Sequence, residues 1–220
     1  MTELGGLAER LERVRQQIAG AGGHHVDILA VTKGHPVEVV EAARSVGLTA
    51  VGENYAQELV SKFAGRSIGV TMHFIGQLQT NKVRQIVDLV DVYETLDRHA
   101  LIVELAKRAP GARVLVQVNT AGEAAKGGCA PGDVESLVAE ATSAGLIVDG
   151  LMTVGPTVGG PEAARDGFRR VRSLCDALGL ATCSMGMSDD FIVAVQEGST
   201  RVRLGSVLFG MRPATSPRVR

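Results

Sequence analysis

Short runs of β-branched and other apolar residues alternate along the chain with longer stretches in which apolar residues recur at helical spacing. The short runs are typical of buried strands and the longer stretches of amphipathic helices, so their alternation predicts βα units around a parallel sheet. Residues 1–20 show only the helical spacing and predict a helix before the first strand. Eight strands are predicted, at residues 26–32, 49–51, 71–75, 89–94, 113–119, 147–153, 181–185 and 201–204.

Eight such units can close into a barrel or spread into an open sheet, and periodicity does not distinguish the two. The length of 220 residues lies within the usual range of barrels, and an early Gly-x-Gly-x-x-Gly turn typical of dinucleotide-binding open sheets is missing. We therefore predict one α/β domain over residues 1–220, a (β/α)8 TIM barrel with an extra N-terminal helix at 1–20. Residues 214–220 lack an apolar period and are predicted to be a frayed tail.

Composition narrows the possible partners. A net charge of −1 and a pI near 6.5 argue against nucleic acid, and aromatic residues at 3% without tryptophan leave little for base stacking. The three cysteines have no metal-ligand spacing and neither do the histidines, so we expect reduced thiols and no metal. The start of the chain lacks the apolar stretch of a secretion signal, and no run reaches membrane-spanning length, so we expect a cytoplasmic protein that does not bind membranes.

Lys33 is the first candidate for chemistry because of its place in the first predicted strand. Leu29, Val31 and Lys33 share one face, which in a barrel points inward and puts the lysine at the carboxyl end of its strand. Apolar packing lowers the pKa of a lysine amine and favours the neutral form that adds to carbonyl groups. A lysine that ends a strand and reaches solvent fits the same position, so position alone does not decide.

The loops after the last two predicted strands are rich in glycine and serine. Residues 183–188 read Cys-Ser-Met-Gly-Met-Ser, and residues 205–210 read Gly-Ser-Val-Leu-Phe-Gly. Barrels often bind phosphate at these two loops through backbone N–H groups. Each loop alone could be an ordinary turn with a serine cap, but their joint placement predicts a phosphate site.

Arg203 lies between Val202 and Leu204 in the last predicted strand, so it should point into the barrel. A buried guanidinium keeps its proton and needs an acceptor. Opposite a pyridine nitrogen, it would keep that nitrogen unprotonated and make the ring a poor electron sink. Arg203 could instead pair with an internal carboxylate such as Glu53 or Asp189.

Three further residues stand where predicted strands give way to loops, namely Asn54, His73 and Met152. His73 could equally be a neutral, hydrogen-bonded strand histidine, and Met152 could be part of the packed core.

Six segments together resemble the pyridoxal phosphate homeostasis protein family. They read AVTK at 30–33, VGENY at 51–55, HFIGQLQTNK at 73–82, GLMTVGP at 150–156, SMGMSDD at 184–190, and the stretch at 200–210. The resemblance extends from about residue 26 to residue 212 in the same order. The serine-methionine-glycine block and the histidine-phenylalanine block are its most specific parts.

The resemblance implies a barrel like the N-terminal domain of alanine racemase, with pyridoxal 5'-phosphate (PLP) held as a Schiff base on Lys33. It also implies that Arg203 faces the pyridine nitrogen. The residues that match phosphate-binding positions are Ser184, Ser188, Gly205 and Ser206, and those that match pocket-lining positions are Asn54, His73 and Met152.

The chain departs from the family pattern around Lys33 and before the histidine block. Thr32 stands where the family usually has serine, Gly34-His35-Pro36 stands where threonine-lysine-proline is usual, and Met72 replaces a common tryptophan. These departures concern the surroundings of the lysine and leave the lysine itself in place.

Three functions are compatible with such a site. A carrier that buffers PLP, or delivers it to apo forms of PLP-dependent enzymes, needs only the lysine and the phosphate cradle, and we predict this non-catalytic role for a monomer. A racemase-like enzyme needs a second acid or base, yet Tyr55 and Tyr93 are the only tyrosines and neither belongs to a second domain. A Schiff-base lyase or aldolase acting on a sugar phosphate remains open from the residues alone.

Overall fold

The computed structural model of the protein describes residues 6–66 and 69–211. Its strands form a closed barrel in chain order, with all neighbours parallel and β8 hydrogen-bonded to β1, which confirms the predicted barrel. The predicted tail at 214–220 and the first five residues of the predicted N-terminal helix lie outside the described residues. The strands are β1 (Asp27–Val31), β2 (Ala50–Glu53), β3 (Thr71–Phe74), β4 (Val92–Leu96), β5 (Arg113–Val118), β6 (Ile147–Thr153), β7 (Thr182–Ser184) and β8 (Arg201–Leu204).

Helices surround the barrel and follow the strands in alternation. The α-helices are α1 (Leu7–Gly20), α2 (Glu38–Ser45), α3 (Ala56–Phe63), α4 (Thr80–Ile86), α5 (His99–Arg108), α6 (Val134–Ser143), α7 (Arg165–Ala177), α8 (Phe191–Gln196) and α9 (Ser206–Phe209). Short 3-10 helices occur at Ala124–Lys126, Pro131–Asp133 and Pro161–Ala164. Among the helices of residues 6–66 and 69–211, none combines the length and the apolar composition that a membrane span requires.

Helix α1 is the predicted extra helix before the first strand. Its buried stripe is made of Leu7, Leu11, Val14 and Ile18, one residue on each successive turn, as expected of an amphipathic helix. The stripe packs against α8 and α9, and Arg10 donates a hydrogen bond of 2.5 Å to the carbonyl of Leu208 in α9. Helix α1 therefore braces the short helix that follows the last strand.

The two faces of the barrel strands differ in polarity. Outward residues such as Ala30, Val51 and Val202 belong to the apolar core that the helices cover. Their neighbours in the strands point to the barrel interior, because side chains alternate between the faces of a strand. The interior carries several buried polar groups, His73, Glu94, Gln117, Ser184 and Arg203. Burying a polar group costs free energy unless the group has a hydrogen-bond partner. We therefore expect these interior side chains to be hydrogen-bonded.

The fourth strand is displaced from its predicted position. Strand β4 begins at Val92 and continues to Leu96, whereas residues 89–94 were predicted. The apolar residues Leu89 and Val90 pack against the core from the turn after α4, and the Leu89 amide donates to the carbonyl of Ile86. A short apolar run can cover the core from a helix end as well as from a strand, and this explains the shift.

Candidate functional site

Lys33 lies at the carboxyl end of β1, half-buried, in a turn between the strand and α2. The amide of Thr32 still pairs with the carbonyl of Gly52 in β2, and the amide of His35 donates to the Thr32 carbonyl, which closes the turn. Gly34 has φ +75°, a left-handed conformation that glycine adopts without strain. The position of Lys33 agrees with the sequence prediction, and the departure at Gly34 allows this particular turn.

Three charged residues, two in α3 and one at the end of β2, hold the turn from outside the barrel. The Lys62 ammonium donates to the Thr32 carbonyl at 2.9 Å and to Glu53 Oε1 at 2.9 Å, and it pairs with Glu58 Oε1 at 2.5 Å. Glu58 Oε1 also accepts from the Gly34 amide at 2.5 Å. Burial raises the pKa of Glu53, against the opposing effect of Lys62 and of the Thr32 hydroxyl.

Arg203 is in the barrel interior, as predicted, with 4% of its surface exposed. Its Nη1 donates to the carbonyl of Ser184 at 2.8 Å and to the Ser184 hydroxyl at 2.9 Å, and its Nη2 donates to the carbonyl of Thr153 at 2.7 Å. Burial lowers the pKa of Arg203, an effect opposed by the negative charges of Glu94 and Asp190. Glu53 and Asp189, which were considered as partners, are not its acceptors among the described residues.

Glu94 is the internal carboxylate next to this arginine, and sequence analysis did not single it out. Its Oε1 lies 2.8 Å from His73 Nδ1, its Oε2 accepts from the Ser184 hydroxyl at 2.7 Å, and Arg201 Nη1 lies at 3.5 Å. Burial alone would raise the pKa of Glu94, but the hydrogen bond and charge of His73 with the two arginines lower it to about 2. A charged residue in an otherwise buried strand was the available signal.

Ser184 joins the two parts of this network and is fully buried. Its hydroxyl gives its single hydrogen to Glu94 and accepts from Arg203. A phosphate oxygen needs donors, and a serine hydroxyl has only one. In this structure the Ser184 hydroxyl is therefore committed to Glu94 and Arg203.

The other predicted phosphate-binding residues lie together at the ends of β7 and β8. Gly205 and the exposed Ser206 open α9, and the hydroxyl of the half-buried Ser188 accepts from the Val207 amide at 3.4 Å. Strand β8 neighbours β1, with Leu204 opposite Ala30, so this loop stands beside the Lys33 turn. The His35 and Phe209 rings, 5.8 Å apart between centroids, connect the turn to α9.

The three predicted pocket-lining residues fall at different depths. Asn54 follows β2 and is half-buried, and Met152 is buried in the barrel opposite Ser184 of β7. His73 was predicted at the end of its strand, but it lies within β3. Its Nδ1 is 2.8 Å from Glu94 Oε1, and the residue lines the cavity at the amino ends of the strands. Met72, where the family often has tryptophan, faces the helix-covered core.

Two cavities open at opposite ends of the barrel. The larger, about 1310 Å³, lies at the amino ends of the strands and is lined by side chains of both signs, including Arg15, Arg66, Asp27 and Asp88. A smaller one, about 330 Å³, lies at the carboxyl ends beside Lys126 and Asp190. The mixed charges of the larger cavity favour no one class of ligand. No group of three or more potential metal ligands occurs in the described part of the chain.

Gly76 fixes the position of Asn54 through a close backbone approach. A Cβ at Gly76 would stand 1.9 Å from the carbonyl oxygen of Asn54, and the Gly76 carbonyl accepts from Thr95 Oγ1 at 2.7 Å. Because a backbone atom would have to move, we expect Gly76→Ala to lower the free energy of unfolding by about 3 kcal/mol in denaturant titrations. Gly132→Ala, whose Cβ would meet open space, is the matched control and should change it by less than about 1 kcal/mol. Equal effects of the two substitutions would contradict this account.

Comparisons with known proteins agree with the geometry. Residues 3–213 match the family described as alanine racemase, N-terminal domain. The pyridoxal phosphate homeostasis protein of Aquifex aeolicus is 40% identical over 222 residues, covering 93% of this chain and 97% of that protein. The protein of the same name from Schizosaccharomyces pombe is 37% identical, with 94% and 93% covered.

Solved structures give the same result. PipY of Synechococcus elongatus, in a structure with PLP bound, superposes with a TM-score of 0.82 at 30% identity and covers 93% of this chain and 100% of PipY. Lysine decarboxylase from Selenomonas ruminantium shares the fold at a TM-score of 0.68 and 17% identity. The chain belongs to the pyridoxal phosphate homeostasis protein family and has the alanine racemase N-terminal domain fold.

Proposed function

We propose that this protein binds PLP as a Schiff base on Lys33 and buffers or delivers the cofactor without turning over a substrate of its own. The observation that carries the proposal is the pairing of two neighbouring strand ends, with a lysine after β1 and a buried arginine in β8. The curated relatives are named for the homeostasis of PLP rather than for a reaction, and PipY is described with PLP bound.

The described residues fit PLP at its ring. Arg203 donates twice from Nη1 and once from Nη2, which leaves Nε–H and one N–H of Nη2 without an acceptor in the described part of the chain. These N–H groups are suited to a pyridine nitrogen that accepts and carries no proton. Because Arg203 cannot supply a proton there, the bound ring would withdraw few electrons, which favours storage over turnover.

The phosphate end fits the loops after β7 and β8. Ser188, Gly205 and Ser206 would hold the phosphate together with the first amides of α9, while Ser184 would act through Arg203. Asn54 and Met152 would line the pocket. His73 would not touch PLP and would instead hold Glu94, whose negative charge acts on Arg203. At Lys33 the neutral amine would add to the aldehyde, the C=N bond would form, and water would leave.

We further propose a cytoplasmic monomer whose recipients are apo forms of PLP-dependent enzymes. Nucleic acid and membranes are not proposed partners, in keeping with the near-neutral charge of the chain.

The experiment that tests this function loads the protein with PLP and follows three readouts. We expect an imine absorbance band, transfer of PLP to an apo acceptor enzyme, and no amino-acid racemisation or aldol cleavage above a protein-free control. The matched control is the loaded protein reduced with borohydride, which should transfer nothing because its C–N bond is then permanent. Turnover in either assay would contradict the carrier role.

A further inference from the structure

We propose that Lys62 and Glu58 of α3 are positioning residues for Lys33, which hold its backbone so that its amine meets the aldehyde of PLP. The inference rests on the proposed function and adds residues to which neither the sequence analysis nor the comparisons give a role.

The two contacts fall on either side of Lys33. The carbonyl of Thr32, in the peptide group before Lys33, accepts from Lys62 at 2.9 Å. The amide of Gly34, in the peptide group after Lys33, donates to Glu58 Oε1 at 2.5 Å. Both partners are one turn apart in α3 and pair with each other at 2.5 Å, so a single helix fixes both flanks of the lysine.

The turn needs an external support because it contains Gly34 at a left-handed φ of +75°. Glycine adopts many backbone conformations at similar energy, so the turn would sample several directions for the lysine side chain without further bonds. The contacts from α3 remove that freedom at the two peptide groups where it matters most. A lysine held within a narrow range of positions reacts with a bound carbonyl more favourably than one that must first be ordered.

The energetics of the cluster also indicate a positioning role. Lys62 uses its three N–H donors on Thr32, Glu53 and Glu58, and only 10% of its side chain is exposed. Glu53 is fully buried, and its Oε2 has no hydrogen-bond partner among the residues that the structure describes. Such buried ionic clusters are costly and often contribute less to stability than apolar residues of similar size. Here, however, Lys62 and Glu58 each make a hydrogen bond to the backbone of the Lys33 turn, which apolar side chains could not make.

The test compares the affinities of two ligands for the same variants. PLP carries the aldehyde that reacts with Lys33, whereas pyridoxine 5'-phosphate has the same ring and phosphate but an alcohol in place of the aldehyde. For Lys62→Met we expect PLP affinity to fall about tenfold, the scale of one charged hydrogen bond, and pyridoxine 5'-phosphate affinity to change by less than about twofold. Lys62→Arg should recover much of the loss, since it keeps a charged donor.

Two further variants keep the result interpretable. Lys107→Met, an exposed lysine near the end of α5, is the matched control and should leave both affinities unchanged. Glu58→Gln keeps an acceptor for Gly34 but removes the charge that holds Lys62, so it should lower PLP affinity selectively and by less; it replaces Lys62→Met if that variant does not fold.

Unchanged PLP affinity in Lys62→Met, or an equal loss for both ligands, would overturn the inference. Failure of the wild-type protein to form an imine would instead overturn the proposed function, so the two failures are distinct.

Discussion

Lys33→Ala is expected to abolish the imine absorbance band and every covalent product of borohydride reduction with PLP. The C=N bond needs a primary amine at the strand end, and the geometry places Lys33 beside the proposed phosphate loop. The fold should persist, because Lys33 is half-buried and lies in a turn after the strand. We expect the free energy of unfolding to change by no more than about 1 kcal/mol. Absorbance titration with PLP and thermal unfolding measure the two effects.

The matched control for this substitution is Lys82→Ala, a half-buried lysine in α4. It should keep the wild-type absorbance band and the wild-type yield of covalent product. A band that survives in Lys33→Ala, or one that is lost in both variants, would contradict the assignment of the amine.

Glu94→Gln is expected to destabilise the protein by about 3 kcal/mol or more at neutral pH. The substitution keeps the shape of the side chain but removes the negative charge that faces Arg203, Arg201 and His73 inside the barrel. The buried Arg203 would then have lost the carboxylate that most strongly offsets its burial, while Arg201 would keep Asp27 at 3.4 Å. Denaturant unfolding measures the effect, and Glu12→Gln on the exposed face of α1 is the control, expected within about 0.5 kcal/mol. Equal stabilities of the two variants would show that Glu94 does not balance the arginines.

The same carboxylate should make the stability of the wild-type protein sensitive to acid. The pKa of Glu94 is lowered from its ordinary value of 4.5 to about 2 in the folded state, so folding favours the charged form. This contribution, about 3 kcal/mol, is fully present above pH 4.5 and is lost as the pH falls towards 2. Glu94→Gln should therefore show a flatter dependence of unfolding free energy on pH across that range. Identical pH profiles would contradict the lowered pKa.

Much of the fold, and the positions of Lys33, Arg203 and the two loops rich in glycine and serine, could be predicted from the sequence. These features depend on the spacing of apolar residues along the chain. Alternation within a strand assigns Lys33 and Arg203 to the barrel interior, and chain order in a closed barrel brings the first and last strands together. The serine and glycine loops follow from the same topology. These features need no knowledge of which side chains meet.

The hydrogen-bonded network inside the barrel could not be predicted in the same way. The alternation of side chains along a strand tells which face of the sheet a residue lies on, but it does not tell which other side chain that residue contacts. The predicted fourth strand ended at Glu94, whereas β4 continues to Leu96, so Glu94 lies in the middle of a strand that is buried throughout. Ser184 matched a phosphate-binding position in the family, yet the proximity of Glu94 and Arg203 commits its hydroxyl.

Glu58 and Lys62 of α3 could not be recognised from the sequence for a different reason. Glu58 and Lys62 have the i,i+4 spacing of an ordinary pair on an exposed helix face, and such pairs contribute little. Only the packing of α3 beside β2 brings this pair to the backbone of the Lys33 turn, which follows β1.

The position of the covalent bond tests the central claim most directly. The protein is mixed with PLP, reduced with borohydride, digested, and its peptides are mapped by mass spectrometry. We expect the added mass on the peptide that contains Lys33 and on no other. Label on Lys62, Lys82, Lys107 or Lys126 in its place, or no label at all, would contradict the account.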